Sequence, residues 1–374
     1  MTTRGHRDTY DVLLLGPVPP PYGGIAAHID RLRSLLQRRG LRVAILSHYR
    51  DPAYTENVIG TLNRNPFRYW SATRRSRSKV VHYHHGHWLL LVAVALAARG
   101  GERRYVVTLH GHDVLDALES RLPLVARVTC WALRQFTAVI AVSREIATGV
   151  ERCVAARPVR VLPAFVEPEP SELSSQVLDD RLAQFVLQRG PTLLVSCSQI
   201  AASEGDADPY GLDLAVDAFC ELASDRADLQ MAMFVGRAPK NRAERDYLGR
   251  LTRRIEASGI SDRFLMCIEV PLVPAFKAKE VIYLRPTRTD GDAVSVREAL
   301  SMGVPVIASD VVVRPPGTAL VPVNESLATA VEQLLESSSI GRTRDARSDE
   351  KPERASEALL NELLSAYGFV AGAA

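Results

Sequence analysis

The sequence predicts an α/β protein made of two Rossmann-like units in tandem. Short apolar runs alternate with amphipathic helical patterns along most of the 374 residues, as expected of doubly wound parallel sheets. A chain of this length exceeds one ordinary core, and the Pro-, Glu- and Ser-rich stretch EPEPSELSSQ interrupts the alternation. We place an N-terminal domain at 1–166, a second domain at 167–350, and a C-terminal helix at 351–374 that is expected to pack back near the first domain.

Each predicted strand is a short apolar run that stops at glycine, proline or polar residues. In the first half these runs are DVLLLG, RVAILS, VVHYHH, YVVTLH, AVIAVS and VRVLPA, in chain order. In the second half they are TLLVSCSQ, LQMAMFVG, RFLMCI, VIYLRP and VPVIAS. The run WLLLVAVALAA at 88–98 is too short to span a bilayer and predicts a buried helix. Ligands of such sheets bind at the carboxyl ends of the strands, so the two units are expected to face a common cleft.

The composition is that of an ordinary globular protein, with 47% hydrophobic and 24% charged residues and a formal net charge of +3. This small charge does not indicate a nucleic-acid partner. The five cysteines form no CxxC pair, and their odd number argues against a disulfide framework and fits a reducing cytoplasm. The polar N-terminus MTTRGHRDTYD lacks the apolar segment of a signal peptide.

Positive charge is concentrated in RNPFRYWSATRRSRSK, residues 64–79, where Phe67, Tyr69 and Trp70 lie among arginines. One reading is a solvated basic face of a helix. The other is a surface that meets an anionic membrane or a phosphate-bearing acceptor. Membrane contact, if any, is therefore expected to be peripheral, at the inner face.

Three carboxylates follow the predicted strand VIYLRP, in the stretch TDGDAVSVREAL. Asp290 and Asp292 flank a glycine, and Glu298 lies one turn into the next predicted helix. Spacing alone leaves three readings open: a helix cap, a pair of carboxylates that grips ligand hydroxyls, and a divalent-metal site. The N-terminus of the helix also offers unpaired N–H groups to an anion.

The pattern Asp-x7-Glu, followed by AL and then GVPVIASD, resembles the nucleotide-sugar site of the retaining family-4 glycosyltransferases of the GT-B fold. The resemblance implies that Asp290, where the family usually has Glu, contacts the donor sugar as a catalytic residue. It implies that Glu298 holds the ribose diol, and that the amides of Ala293, Val294 and Ser295 approach the sugar and the diphosphate. Under this reading Asp292 is a loop acid or a cap, and a metal is not expected.

The first half resembles the same family in GPVPPPYGG and VTLHGHD. Gly23 and Gly24 allow close approach of the backbone to the nucleotide sugar before a helix. The resemblance implies that His110 contacts the donor sugar and positions or polarises the reaction. His28, one turn further on from Gly24, faces the acceptor or lies at the surface, and the surface position is the one we expect. The remaining histidines match no common zinc spacing and are read as structural or solvent-facing; they are His82, His84, His85, His87 and His112.

One departure from the family pattern concerns the diphosphate. The family has an Arg at the end of the strand LLVSC and a Lys about ten residues later, and here Gln199 and Tyr210 stand in those places. Another cation must stabilise the leaving group if the chemistry holds. The candidates near predicted strand ends are Arg237, Lys240, Arg285 and Arg288.

The resemblance implies a retaining glycosyltransferase that moves a sugar from a nucleoside-diphosphate sugar to a hydroxyl acceptor, with no cofactor and no metal. The acceptor is expected to be a glycan or a lipid-linked species of polysaccharide or glycolipid biosynthesis. Two alternatives remain open: a GT-B sugar-nucleotide epimerase, and a catalytically weak partner subunit of a polysaccharide assembly.

Overall fold

The computed structural model describes residues 9–49, 57–85, 87–99, 102–154, 158–168, 172, 178, 180–201, 207–337 and 352–369. The first eight residues of the polar N-terminus, most of the predicted linker and most of the polar segment before the last helix lie outside the described residues. So do the side chains of His85 and of residues 352–355.

The chain divides into two compact units. The first comprises Met1–Pro19, Ile25–Val166 and Glu353–Ala374, and the second comprises Pro20–Gly24 and Glu167–Pro352. The last helix thus belongs to the first unit, and a five-residue segment from the N-terminal half belongs to the second.

The first unit is built on a parallel sheet that has, within the described residues, the strand order β3-β2-β1-β4-β5-β6-β7. Its strands are β1 (Tyr10–Gly16), β2 (Val43–Ser47), β3 (Val58–Thr61), β4 (Ser78–His85), β5 (Arg104–Leu109), β6 (Ala138–Ala141) and β7 (Arg160–Val161). The central strands are apolar on both faces because helices cover the sheet on both sides.

The helices of the first unit lie between successive strands, as a doubly wound topology requires, except the last helix of the chain, which follows the second unit. They are α1 (Gly24–Arg38), α2 (Pro66–Arg75), α3 (Trp88–Ala98), α4 (Asp113–Leu118), α5 (Pro123–Leu133), α6 (Arg144–Val154) and the last helix, α12 (Pro352–Tyr367). Leu32 and Leu36 of α1 pack in one core with Leu360 and Leu363 of α12. The C-terminal helix is therefore an integral part of the first unit.

The second unit holds a parallel sheet with the order β10-β9-β8-β11-β12-β13 among the described residues. Its strands are β8 (Thr192–Cys197), β9 (Gln230–Val235), β10 (Phe264–Ile268), β11 (Val281–Arg285), β12 (Val306–Ser309) and β13 (Thr318–Val321). Its α-helices are α7 (Asp180–Gln188), α8 (Leu212–Asp225), α9 (Arg242–Ala257), α10 (Val294–Ser301) and α11 (Leu327–Glu336). One core lies under α8, α9 and α11, and a second lies under α7 and α10 on the opposite face.

The predicted α/β class and the two Rossmann-like units are confirmed. The apolar run at 88–98 forms α3, with Leu91 and Val94 fully buried. Among the described helices, none is both long enough and apolar enough to cross a membrane.

The expectation of unpaired cysteines is wrong for one pair. Cys130 on α5 and Cys153 on α6 form a disulfide, with 4.9 Å between their Cα atoms. The two helices pack side by side, which brings together residues separated by 23 positions in the sequence. The spacing of the two cysteines along the sequence does not predict this contact.

Candidate functional site

The loop between β11 and α10 holds Asp290 in a closed hydrogen-bond network. Its Oδ1 accepts from Arg285 Nη2 and from the Gly291 N–H, each at 3.0 Å. Its Oδ2 accepts from Arg285 Nε at 3.0 Å, from Arg314 Nη1 at 2.7 Å and from Thr287 Oγ1 at 3.3 Å. A carboxylate offers about four lone-pair sites, so these bonds use its accepting capacity in full.

Burial acts to raise the pKa of Asp290, but the charges and hydrogen bonds of Arg285 and Arg314 outweigh it and lower that pKa to about 2. The side chain of Asp290 is 8% exposed, while those of Arg285 and Arg314 are 12% and 2% exposed. Two guanidinium groups thus share one carboxylate, which leaves one positive charge over. Among the described residues, no other carboxylate pairs with either arginine.

Asp292 binds a different arginine, because its Oδ1 accepts from Arg297 Nε at 2.7 Å. The two aspartates of the Asp-Gly-Asp stretch therefore face separate cations rather than one metal position. Neither aspartate occupies the N-cap position of α10, which is Ala293. The sequence analysis did not predict the contact of Arg314 with Asp290, because Arg314 lies in a loop, where residue spacing carries no periodic signal.

The start of α10 gathers the residues predicted to bind the nucleotide sugar. Ala293 and Val294 are buried at the helix start, where the first N–H groups have no intrahelical partner. Ser295 Oγ accepts from Tyr283 Oη at 2.7 Å, and that hydroxyl lies 2.8 Å from Ser196 Oγ. Glu298 is 5% exposed and lies three residues after Ser295, on the same face of the helix. The four positions Ala293, Val294, Ser295 and Glu298 are close together because they belong to the first turns of one helix.

The other arginines predicted to hold the diphosphate are each paired with a carboxylate. Arg288 donates to both oxygens of Asp213 at 2.8 and 2.9 Å. Arg237 Nη2 lies 3.3 and 3.4 Å from the oxygens of Glu244. The Lys240 backbone N–H donates to the same Glu244 at 2.8 Å. Of the three arginine candidates, Arg285 is thus the one that belongs to a cluster with an excess of positive charge.

Tyr210, which stands where the family has Lys, lies beside Arg285. The guanidinium carbon of Arg285 is 5.6 Å from the centre of the Tyr210 ring, and the Tyr210 hydroxyl is 2.6 Å from Ser198 Oγ. A guanidinium over an aromatic face gains a cation–π attraction. The structure therefore places a cation next to the position of the missing lysine. Gln199 is exposed.

Gly23 and Gly24 lie in the segment that belongs to the second unit. The Tyr22 N–H donates to the Gly236 carbonyl at 2.8 Å. A Cβ added at Gly23 would lie 2.9 Å from that of Ser198, closer than real Cβ atoms approach. The backbone of this segment therefore needs the absence of a side chain at Gly23.

In the first unit, His110 follows β5 and packs against two other histidines. Its Nε2 lies 3.0 Å from Nδ1 of His84, at the end of β4. The ring of His28, on α1, meets both of the other rings edge-on, at centroid distances of 5.2 Å. The expectation of a surface position for His28 is wrong, because its side chain is 3% exposed and lies on the buried face of α1.

Burial lowers the pKa of His28 to about 4 and the pKa of His84 well below its ordinary value, so both imidazoles are neutral. Burial likewise lowers the pKa of His82 to about 3. Its two ring nitrogens lie 2.7 Å from Tyr367 Oη and from Thr108 Oγ1, which accounts for His82 as a structural residue. His112 pairs with Glu145 at 3.2 Å and stands apart from these contacts.

Two Rossmann-like units, with an acidic loop and a helix N-terminus at the carboxyl end of β11, have the architecture of the GT-B fold of glycosyltransferases. Comparison with known families agrees: residues 22–170 match Glycosyltransferase Family 4, and residues 201–337 match Glycosyl transferases group 1. These two matches cover most of the chain, which belongs to this glycosyltransferase family.

Solved structures share the fold at low sequence identity. Sucrose-phosphate synthase from Thermosynechococcus elongatus has a TM-score of 0.68 at 17% identity, over 96% of this chain and 97% of that chain. Anabaena HepE in complex with UDP has a TM-score of 0.62 at 15% identity, over 95% and 100%. The trehalose-6-phosphate synthase OtsA has a TM-score of 0.64 at 14% identity, over 94% and 98%. No curated protein matches the sequence.

Proposed function

We propose that the chain is a retaining glycosyltransferase that moves a sugar from a nucleoside-diphosphate sugar to a hydroxyl acceptor. The observation that carries this proposal is the start of α10. There, the helix N-terminus and the buried Glu298 lie within nine residues of Asp290 along the chain, and Asp290 carries the positively charged cluster with Arg285 and Arg314. A helix N-terminus and a cation attract phosphate oxygens, and a carboxylate accepts hydrogen bonds from a ribose diol.

Each group in this region has a role in the proposal. The amides of Ala293, Val294 and Ser295 take oxygens of the donor, and Glu298 holds the ribose hydroxyls. Arg285 offsets the charge of the departing diphosphate in the place of the family's missing cations, because fixed positive charge stabilises a leaving group. Arg237 and Arg288 are less suited, since each has a carboxylate of its own, whereas Arg285 shares Asp290 with Arg314.

Asp290 enters the proposal as a positioning residue. Its oxygens already accept five hydrogen bonds, so it acts on the donor by holding Arg285 in place. A direct grip on the sugar, as the resemblance implies, requires that some of these bonds be exchanged.

The reacting end of the donor meets His110, as the resemblance implies. Retention proceeds by attack from the face of the leaving phosphate, with no cofactor and no metal needed for the transfer. UDP-glucose is the first donor to test and UDP the first nucleotide to test for binding, because the HepE structures contain them.

The acceptor in this proposal is a glycan or a lipid-linked species at the inner face of a membrane. The support is a surface on α2 and the residue before its N-cap. We call it the α2 patch, and it consists of Arg64, Phe67, Arg68, Trp70, Arg74 and Arg75. All six side chains are exposed, with Phe67 at 68% and Trp70 at 36%, while Tyr69 is buried beneath them. Exposed aromatics interleaved with arginines suit an anionic lipid surface.

The decisive experiment measures nucleotide binding by calorimetry with the Glu298→Ala variant. We expect UDP to bind at least about tenfold more weakly, a loss of about 1.4 kcal/mol, and the variant to lose discrimination against the 2′,3′-dideoxy nucleotide. Glu256→Ala, an exposed carboxylate on α9, is the matched control and should bind normally. Equal affinity of the wild type and Glu298→Ala for UDP would refute the assigned role of Glu298.

A second candidate is the catalytically weak partner subunit, favoured by Gln199 and Tyr210 in place of cations. It predicts no thermal shift with a panel of nucleoside diphosphates and no transfer with any donor. A saturable thermal shift with one nucleotide would rule out this candidate in its simplest form.

A further inference from the structure

Three histidines of the first unit bring ring nitrogens to one point although they come from three separate elements. His28 lies on α1, His84 at the end of β4 and His110 in the loop after β5. One nitrogen of each lies within 4.8 Å of the nitrogens of the other two, and the shortest distance, between His84 and His110, is 3.0 Å. In a tetrahedral site with bonds of 2.0–2.1 Å, ligand nitrogens lie about 3.3 Å apart. Small shifts of the rings would meet that geometry.

The protonation state of His28 suits a metal ligand. Its Nδ1 lies 2.5 Å from the Ala164 carbonyl oxygen, and a carbonyl can only accept. Nδ1 therefore carries the proton, and Nε2 keeps its lone pair. A metal-bound histidine typically donates its second nitrogen to a carbonyl in this way, which fixes both the tautomer and the ring orientation.

Hydrogen bonding within the cluster does not account for its geometry. One hydrogen bond joins His84 Nδ1 to His110 Nε2 at 3.0 Å. A third imidazole with its own lone pair faces this pair. A single cation between the rings would bind one nitrogen of each of the three histidines, which one hydrogen bond between two of them cannot do.

We propose that His28, His84 and His110 form a binding site for a transition-metal ion of the Zn²⁺ class, and that metal binding inhibits the enzyme. Three imidazoles without a carboxylate select Zn²⁺, Co²⁺, Ni²⁺ or Cu²⁺ over Mg²⁺ and Ca²⁺. Inhibition follows because a metal-bound His110 no longer offers its nitrogen to the donor sugar. The inhibition rests on the proposed function of His110, whereas the metal site does not.

The site is tested by titrating Co²⁺ into the full chain after removal of any affinity tag. We expect one equivalent to bind with saturable visible absorption typical of a low-symmetry nitrogen site, and Zn²⁺ to displace it. His28→Gln should weaken binding at least about tenfold. The matched control is His112→Gln, a histidine of the same unit outside the cluster, and it should leave binding unchanged.

A buried substitution can also unfold the protein, so a second measurement uses the wild type alone. One equivalent of Cu²⁺ should give an electron paramagnetic resonance spectrum with nitrogen splitting from three imidazoles. Fewer than three nitrogens, or Co²⁺ binding that is equal in the wild type and in a folded His28→Gln variant, would overturn the proposed site and leave only adventitious metal binding.

The inhibitory role is tested with an active preparation. Zn²⁺ should inhibit transfer by the wild type, EDTA should restore the rate, and His28→Gln should resist Zn²⁺ whatever its own basal rate. Binding without inhibition would refute the regulatory role and keep the site. If the chain transfers no sugar, the Co²⁺ and Cu²⁺ measurements still decide whether the metal site exists.

Discussion

Arg314 donates to the carboxylate of Asp290 at 2.7 Å across 24 residues of chain. Arg285 holds the other edge of the same carboxylate with two bonds of 3.0 Å. The loop before α10 is thereby fastened to the end of β11 and to the loop after β12. This explains how a glycine-containing loop keeps one conformation at the start of the helix that we assign to donor binding.

Replacing Asp290 by Asn should destabilise the second unit by about 3–5 kcal/mol, because it leaves two buried guanidinium groups without a counter-charge. All three tryptophans of the sequence, Trp70, Trp88 and Trp131, lie in the first unit. Tryptophan fluorescence therefore reports the first unit, and far-ultraviolet circular dichroism reports both.

In urea titrations, the midpoint of the circular-dichroism transition should fall in Asp290→Asn relative to the wild type. The midpoint of the fluorescence transition should fall less. The matched control, Asp310→Asn, removes an exposed carboxylate next to β12 and should change little. If the two variants were equally stable, the ion pairs of Asp290 would contribute nothing to stability.

The contribution of Asp290 should depend on pH with a definite sign. Its pKa in the folded protein is about 2, below the ordinary value of 3.8. The stabilisation is therefore fully present above the ordinary pKa and is lost as the pH falls through the folded one. The difference in unfolding free energy between the wild type and Asp290→Asn should be constant near neutral pH and should narrow below about pH 4. A difference that widens in acid would contradict this assignment.

Arg285 should contribute to binding of the diphosphate rather than of the nucleoside. We expect Arg285→Met to weaken UDP binding about tenfold or more, as for a charged hydrogen bond of about 1.5–3 kcal/mol, with little effect on uridine. Arg288→Met is the matched control, because Arg288 already forms a bidentate pair with Asp213. Calorimetry with UDP and uridine gives both affinities, and an equal loss for the two ligands would show that the substitution disturbs the fold instead.

The sequence predicts those parts of the molecule that rest on local pattern. The buried strands and α3 follow from apolar runs, and the positions of Ser295 and Glu298 follow from helical spacing. The edge strands β3 and β13 were missed because their residues are only partly buried and lack a continuous apolar run.

The sequence also does not predict contacts between loops that are far apart along the chain. No spacing rule links Arg314 to Asp290, or His28 on an amphipathic helix to His84 and His110. These pairs form because parallel strands align their carboxyl ends at one edge of a sheet. Tertiary packing alone decides which polar side chains meet there.

The α2 patch should bind anionic membranes in a way that depends on its exposed aromatics. We expect the double variant Phe67→Ser, Trp70→Ser to lose most of its co-sedimentation with phosphatidylglycerol vesicles, because insertion of these rings supplies apolar burial beside the arginines. The fold should be retained, since both side chains are exposed and Tyr69 remains as the buried anchor of α2. Binding of the wild type should weaken as salt is raised, since exposed charges are screened over about 10 Å at 0.1 M ionic strength.

The matched control for the α2 patch is Leu187→Ser. It removes an apolar side chain that is 81% exposed in the second unit, and this variant should bind vesicles like the wild type. Equal binding to phosphatidylcholine and phosphatidylglycerol would show that the arginines of the α2 patch do not direct the contact.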